Sequence, residues 1–179
     1  MLQNEIIQLE KLNAEKWRKR SNTDELTGLL NRYAFEAEIE RLENGVGDDF
    51  VYVSADVNGL KTVNDSMGHS AGDELLIGAT ECFVKCFGDY GKLYRIGGDE
   101  FTAFLYVTDE EFESIKSNLF ATVSSWHGKQ VDSLTVSCGY VKKKEAGDMT
   151  VRQMVVLADK RMYEEKSNYY KVTGIERRG

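Results

Sequence analysis

Two hydrophobic runs, residues 92–96 and 101–107, are separated only by a short turn holding Gly97 and Gly98. That spacing predicts a β-hairpin, since adjacent glycines open backbone conformations a tight turn needs. A hairpin excludes a wholly parallel sheet. Elsewhere strand and helix patterns alternate, so the chain is expected to be α+β, a mainly antiparallel central sheet with surrounding helices. Residues 50–57 form a further strand rich in Val and Tyr, with Tyr52, Ser54 and Asp56 on one face. Residues 134–141 form another, and residues 169–175 a last edge strand.

Helices fill the intervals. Asn31 is a plausible N-cap for a helix carrying Phe35, Ile39 and Leu42 on one side. Residues 70–87 place Leu75, Leu76, Ala79, Cys82, Phe83 and Cys86 inward at helical spacing. Thr108 and Glu111 form a capping box for a helix bearing Phe112, Ile115 and Leu119. Residues 151–166 carry Met154, Val155, Ala158 and Met162 on one face. Residues 1–22 differ: Leu2, Ile6 and Leu9 are spaced like a coiled-coil seam among charged neighbours. They read as a leading helix, either a coiled-coil linker or a helix packed on its own domain. Residues 23–179 then make one catalytic domain, a size that the 179-residue chain allows.

Charge narrows the partners. Thirty acidic residues against 23 basic give a net charge of −7, which disfavours general nucleic-acid binding. Three cysteines do not suggest a disulfide framework; Cys82 and Cys86 read as core thiols. No run is apolar enough to span a membrane and no signal-peptide core opens the chain, so the expected location is cytoplasmic, without direct membrane contact. A membrane span in a longer parent receptor is compatible with this.

The chemistry centres on acidic residues. Asp99 and Glu100 follow the two glycines. Alone they are a weak sign, because acidic turn residues are usually just solvated. Asp56 strengthens it, since a carboxylate ending a hydrophobic strand is costly unless paired or bound to metal. If that strand lies beside the hairpin, Asp56 and Asp99 can share two divalent ions roughly 4 Å apart, a clamp for phosphoryl transfer. Oxygen ligands favour Mg²⁺ or Mn²⁺. The segment Asn58-Gly59-Leu60-Lys61 is expected to be a loop offering backbone N–H groups, and Lys61 a charge, to phosphate. A second expected loop spans residues 64–73. Its Asn64 and Asp73 have the donors and acceptors to read a guanine edge. A plain turn followed by an Asp in a first helical turn explains the same residues.

Six stretches taken in register go further: Asp24-Glu-Leu-Thr-Gly-Leu-Leu-Asn-Arg32, Asp56-Val-Asn-Gly-Leu-Lys-Thr-Val-Asn-Asp65, Gly68-His-Ser-Ala-Gly-Asp73, Arg95-Ile-Gly-Gly-Asp-Glu-Phe101, Thr135-Val-Ser-Cys-Gly139 and Ala158-Asp-Lys-Arg-Met-Tyr163. Over residues 22–175 the chain resembles the GGDEF, or diguanylate cyclase, family, which implies a fold like the nucleotidyl cyclases and polymerase palms. The resemblance implies that two GTP molecules are condensed into cyclic di-GMP with release of two pyrophosphates, across a homodimer whose subunits each hold one GTP. It implies Asp56, Asp99, Glu100 and the Val57 carbonyl as ligands for two Mg²⁺ or Mn²⁺ ions per site, and Asp99 and Glu100 as the catalytic acidic pair. It implies Asn64 and Asp73 for guanine, Leu29 for the base pocket, and Lys61 and Lys166 for phosphate. It also implies an upstream sensory domain in a longer parent. Two departures stand out. The Arg-x-x-Asp inhibitory motif is replaced by Gly88-Asp-Tyr-Gly91, so no product inhibition is expected there. A phosphate-binding Arg is replaced by Tyr170, with Lys171 as its possible substitute. The competing expectations are a GTP-binding regulatory module without turnover, a cyclic di-GMP receptor, disfavoured by the missing motif, and a related cyclase accepting ATP, disfavoured by Asp73.

Overall fold

In a computed structural model, residues 22–174 are described. The expected leading helix, residues 1–22, lies almost wholly outside them. The described elements, in chain order, are β1 (Leu30–Asn31), α1 (Arg32–Arg41), a 3-10 turn (Leu42–Asn44), β2 (Phe50–Val57), α2 (Leu60–Met67) and α3 (His69–Phe87). Then follow β3 (Gly91–Gly97), β4 (Glu100–Tyr106), α4 (Asp109–Ser124), β5 (Val136–Lys142), α5 (Lys143–Ala146) and α6 (Val151–Thr173).

The strands form one sheet of order β1-β3-β4-β2-β5. The hairpin β3–β4 and the pairs β2–β4 and β2–β5 are antiparallel, and only the short β1 joins β3 in parallel. The fold is therefore α+β with a mostly antiparallel sheet, as the hairpin required. Every residue of the central strand β2 is buried, because helices cover both sheet faces. On one face Val51, Val53, Ala55 and Val57 meet Leu75, Phe83 and Phe112 from α3 and α4. On the other, Phe35, Tyr52, Phe104, Met154 and Ala158 form a second core under α1 and α6, with Phe35 and Phe104 stacked at 5.5 Å. Alternating strand residues thus feed two separate cores.

The local signals act as expected. Asn31 Oδ1 accepts the Ala34 N–H at 3.1 Å, and Thr108 with Glu111 closes its capping box. Two expectations are corrected. Residues 64–73 are not a loop. Leu60–Met67 is a helix, and α3 begins at His69 after a break at Gly68, where φ is +88°. A left-handed residue ends one helix and aims the next, a position that glycine occupies without a Cβ clash. The second concerns residues 169–175, expected as a strand. Residues 169–173 continue α6 instead, and Gly174 caps it at φ +67°. The Tyr and Val that suggested a strand lie in a stretch without Gly or Pro, so nothing interrupts a helix already docked on the sheet.

Candidate active site

The sheet brings the acidic residues together. β2 lies between β4 and β5, and Asp56 stands opposite both Glu100 and Ser137 in register. The tight turn ahead of Glu100 bends at Gly98, with φ +48°, and the Val57 N–H donates to the Asp99 carbonyl at 3.0 Å. The turn is braced from behind. Arg95 donates to the Gly98 carbonyl at 2.8 Å and to Asp24 Oδ1 at 2.9 Å, so two of the sequence stretches are joined by one ion pair.

The third wall is α6. Lys166 Nζ lies 2.6 Å from Asp56 Oδ2 and 3.6 Å from Asp99 Oδ2. The Asp56 side chain is only 4% exposed. Burial therefore pushes its carboxyl pKa up to about 6 against the pull of Lys166, with the Asp99 charge adding to the rise. Burial works against the Lys166 ammonium, but the bond to Asp56 leaves its pKa raised overall. Asp56 Oδ1 is buried and has no hydrogen-bond partner among the described residues. One carboxylate oxygen thus meets a cation and the other faces none, an arrangement that fits a divalent cation. Among the described residues no three His, Cys, Asp or Glu side chains converge tightly. The set that fits is Asp56, Asp99 and the Val57 carbonyl, with Glu100 exposed at the rim.

The segment after Asp56 is tied at three successive amides. The Val57 N–H goes to the hairpin turn, the Asn58 N–H to the Thr135 carbonyl at 3.0 Å, and the Gly59 N–H to the Tyr170 hydroxyl at 3.2 Å. Each bond reaches a different element. The Asn58 side chain is buried and accepts from Ser137 Oγ at 2.9 Å. Leu60 and Lys61, expected in a loop, form the first turn of α2, and Lys61 is exposed there.

The other expected residues fall around α2 and α3. Asn64 lies on α2 against Gly72, where an added Cβ would meet its Oδ1 at 1.9 Å. Asp73 is exposed on the first turns of α3 and borders a cavity of about 590 Å³ with Ser70, Glu74 and Trp126. Leu29 is buried in the core under α3, and partly buried Leu26 and Leu60 pack on the same core. Asn64, Asp73 and Leu60 thus gather at one end of α3, while Lys166 sits with the carboxylates.

A family model described as "Diguanylate cyclase, GGDEF domain" matches residues 21–171. The chain belongs to this family. As a GGDEF domain it is 34% identical over 152 residues to diguanylate cyclase DgcN of Escherichia coli strain K12, covering 80% of this chain and 36% of that protein. It is also 39% identical over 95 residues to cyclic di-GMP phosphodiesterase PdeB of Shewanella oneidensis, covering 53% of this chain and 11% of that protein. The chain therefore spans about a third or less of these relatives. In fold it is similar to the coiled coil and GGDEF domain of DgcB from Caulobacter crescentus, a structure solved with c-di-GMP. That match has a TM-score of 0.80 and 24% identity, and covers 93% of each chain.

Sequence reasoning missed three partners in this GGDEF domain. Tyr170, expected only as the residue standing four positions beyond Lys166 in place of an arginine, accepts the Gly59 N–H, a bond that the spacing alone does not reveal. Lys171, the proposed substitute, is exposed and five residues from Lys166, which turns it roughly 140° away. Glu74 accepts the backbone N–H groups of Lys129, Gln130 and Val131 at 2.8, 2.7 and 3.0 Å, fastening that loop to α3. Nothing in the local sequence marks that contact. The Asn58–Ser137 pair could have been found, since both residues belong to matched stretches.

Proposed function

We propose that this domain is a diguanylate cyclase, condensing two GTP into cyclic di-GMP and two pyrophosphates. The observation that carries the reading is Asp56: a buried carboxylate beside Asp99, with one oxygen on the Lys166 ammonium and the other without a hydrogen-bond partner among the described residues. A buried carboxylate oxygen left unpaired is costly, and a bound cation would offset that cost. Asp56, the Val57 carbonyl, Asp99 and Glu100 would hold two Mg²⁺ or Mn²⁺ ions. Those ions, when bound, supply the positive charge that offsets the triphosphate and polarises the reacting phosphorus.

The chain's own residues do the rest. Asn64 and Asp73 read the guanine edge, and Leu29 lines the base pocket. The Lys166 ammonium moves from carboxylate to phosphate oxygens, with Lys61 beside them at the N-terminal turn of α2, where backbone N–H groups favour an anion. Asp99 takes the proton of the 3′-hydroxyl, with Glu100 assisting. The freed 3′-oxygen attacks the α-phosphorus of the GTP on the other subunit, and pyrophosphate leaves. Each subunit of a homodimer supplies half of the site, and holding the two nucleotides in line supplies much of the rate. With Gly88 and Gly91 in place of charged residues, the product does not inhibit through that turn. The domain works in the cytoplasm under an upstream sensory domain.

Incubation with GTP and Mg²⁺, with products separated by chromatography, tests this. Cyclic di-GMP is expected from the wild type and none from Asp99→Ala, with a rate rising more than linearly with protein concentration. No product at any concentration refutes the reading. A second reading, a GTP-binding module that regulates a neighbouring domain without turnover, is favoured by the match to a phosphodiesterase. It predicts GTP protection against heat with no product.

A further inference from the structure

β5 is the last strand in the sheet order, so one side of its backbone faces no other strand among the described residues. Cys138 and Tyr140 pair with Ala55 and Val53 at alternate positions, and their backbone groups turn toward that open side. Helix α6 covers them with charged side chains. Glu165 Oε2 accepts the Cys138 N–H at 2.5 Å, and Arg161 donates to the Tyr140 carbonyl at 2.6 Å. A second stripe of α6 faces β2. There Asp159 Oδ1 accepts from Ser54 Oγ at 2.6 Å, and Lys166 reaches Asp56 at 2.6 Å.

The two stripes share one register. Arg161 and Glu165 are four residues apart on the helix, about 6 Å along its axis. Tyr140 and Cys138 are two residues apart on the strand, about 7 Å. These repeats nearly coincide, so both edge bonds form at a single axial setting of α6. The close approach of Ala158 to Gly139 sets the height of α6 above β5, and the edge bonds set its position along the strand. Glu165 directly precedes Lys166, and consecutive helical residues point about 100° apart. Helix α6 therefore straddles β5, with Glu165 over its edge and Lys166 over its face. A slide of one residue would shift Lys166 by about 1.5 Å and turn it about 100°, away from Asp56 and Asp99.

We propose that Glu165 is a positioning residue: by holding the Cys138 N–H it fixes the axial setting of α6 and so delivers the neighbouring Lys166 ammonium to the nucleotide phosphates. This rests on the nucleotide reading given above. Glu165 itself touches no substrate and acts only through Lys166. A backbone amide suits this use, because it has no rotamers to change as a side-chain partner has. When Lys166 leaves Asp56 for phosphate, the anchor keeps the helix in place and only the lysine side chain moves.

The test uses the full chain with Mg²⁺ and a GTP analogue carrying a methylene bridge between the α- and β-phosphates, measured by calorimetry. Guanosine, which has no phosphate, is titrated in parallel. Glu165→Ala is expected to bind the analogue about tenfold more weakly, at unchanged guanosine affinity. Glu165→Gln keeps an acceptor for the Cys138 N–H and should stay within about twofold of the wild type. The deciding measurement is a double-mutant cycle with Lys166→Ala. In that background Glu165→Ala should cost nothing further, since the group it places is gone. An equal loss in both backgrounds overturns the proposal, as does a guanosine affinity that falls in step, because the role would then be structural. Wild-type analogue affinity in Glu165→Ala overturns it as well. Should Glu165→Ala not fold, Glu165→Leu, which keeps the bulk without the acceptor, takes its place in the cycle. If the wild type binds no guanine nucleotide, the nucleotide reading fails and the proposal falls with it, a result distinct from any variant's behaviour.

Discussion

Replacing Asp56 by Asn should stabilise the metal-free protein, increasingly so as pH rises. In the folded chain burial holds the Asp56 carboxyl protonated up to about pH 6, against an ordinary value of 3.8. Below 3.8 both folded and unfolded chains carry the proton and the group costs nothing. Between 3.8 and 6 the unfolded chain has released the proton while the folded chain still holds it, so stability falls as pH rises. Above 6 the loss is complete. A gap of about 2 pH units at about 1.4 kcal/mol each amounts to ~3 kcal/mol. The asparagine amide has the same shape, can still accept from Lys166, and does not titrate. The unfolding free energy of Asp56→Asn minus that of the wild type should therefore grow by ~3 kcal/mol between pH 3.5 and 7.5. Urea unfolding with a chelator present measures it, at low protein concentration because the sequence pI is about 5.0. A pH-independent difference, or one that shrinks as pH rises, would refute the reasoning. Added Mg²⁺ should then stabilise the wild type and leave the variant unchanged, by mass action on the folded state alone.

Other perturbations separate binding from folding. In Gly72→Ala the new Cβ would lie 1.9 Å from Asn64 Oδ1, so the amide must swing away. Guanine nucleotide affinity should drop about tenfold while the melting temperature holds or rises, because Ala favours a helix by about 1 kcal/mol over Gly. In Gly139→Ala the Cβ would lie 2.0 Å from the Ala158 carbonyl oxygen and 2.3 Å from the Met162 nitrogen. Backbone cannot yield as a side chain can, so α6 must lift from β5, at a cost of about 1–3 kcal/mol in urea unfolding. Glu74→Ala frees three amides at residues 129–131, and hydrogen exchange at those amides should quicken while that of β2 does not change.

What the sequence disclosed was what local chemistry can encode. The hairpin, the Asn31 cap and the Thr108–Glu111 box each depend on residues within a few positions of one another. So did the demand that Asp56 find a partner. The identity of that partner was another matter: Lys166 lies 110 residues away, and an ion pair of that span leaves no periodicity to read. The misread segments have the same origin. Tyr169, Tyr170 and Val172 have strand propensity, but the docked helix preceding them decides their conformation. Residues 64–67 are polar enough for a loop, yet they complete a helix begun at Leu60 whose partly buried Leu60 and Val63 rest on the core. Propensity lost to packing in both places.

The strand order has a consequence for how the protein is made. β2 sits between β4 and β5, so its second ladder waits for residues 136–142. Lys166 and Tyr170, which close the site, arrive near the end of α6. On the ribosome the domain's N-terminal part emerges first. Asp56 and Asp99 lack their shared lysine partner until the last helix docks. A chain stopped before residue 166 would carry the whole glycine-acidic turn and still lack the lysine that meets it. Completeness of synthesis is thus a condition for assembling the site, imposed by topology alone.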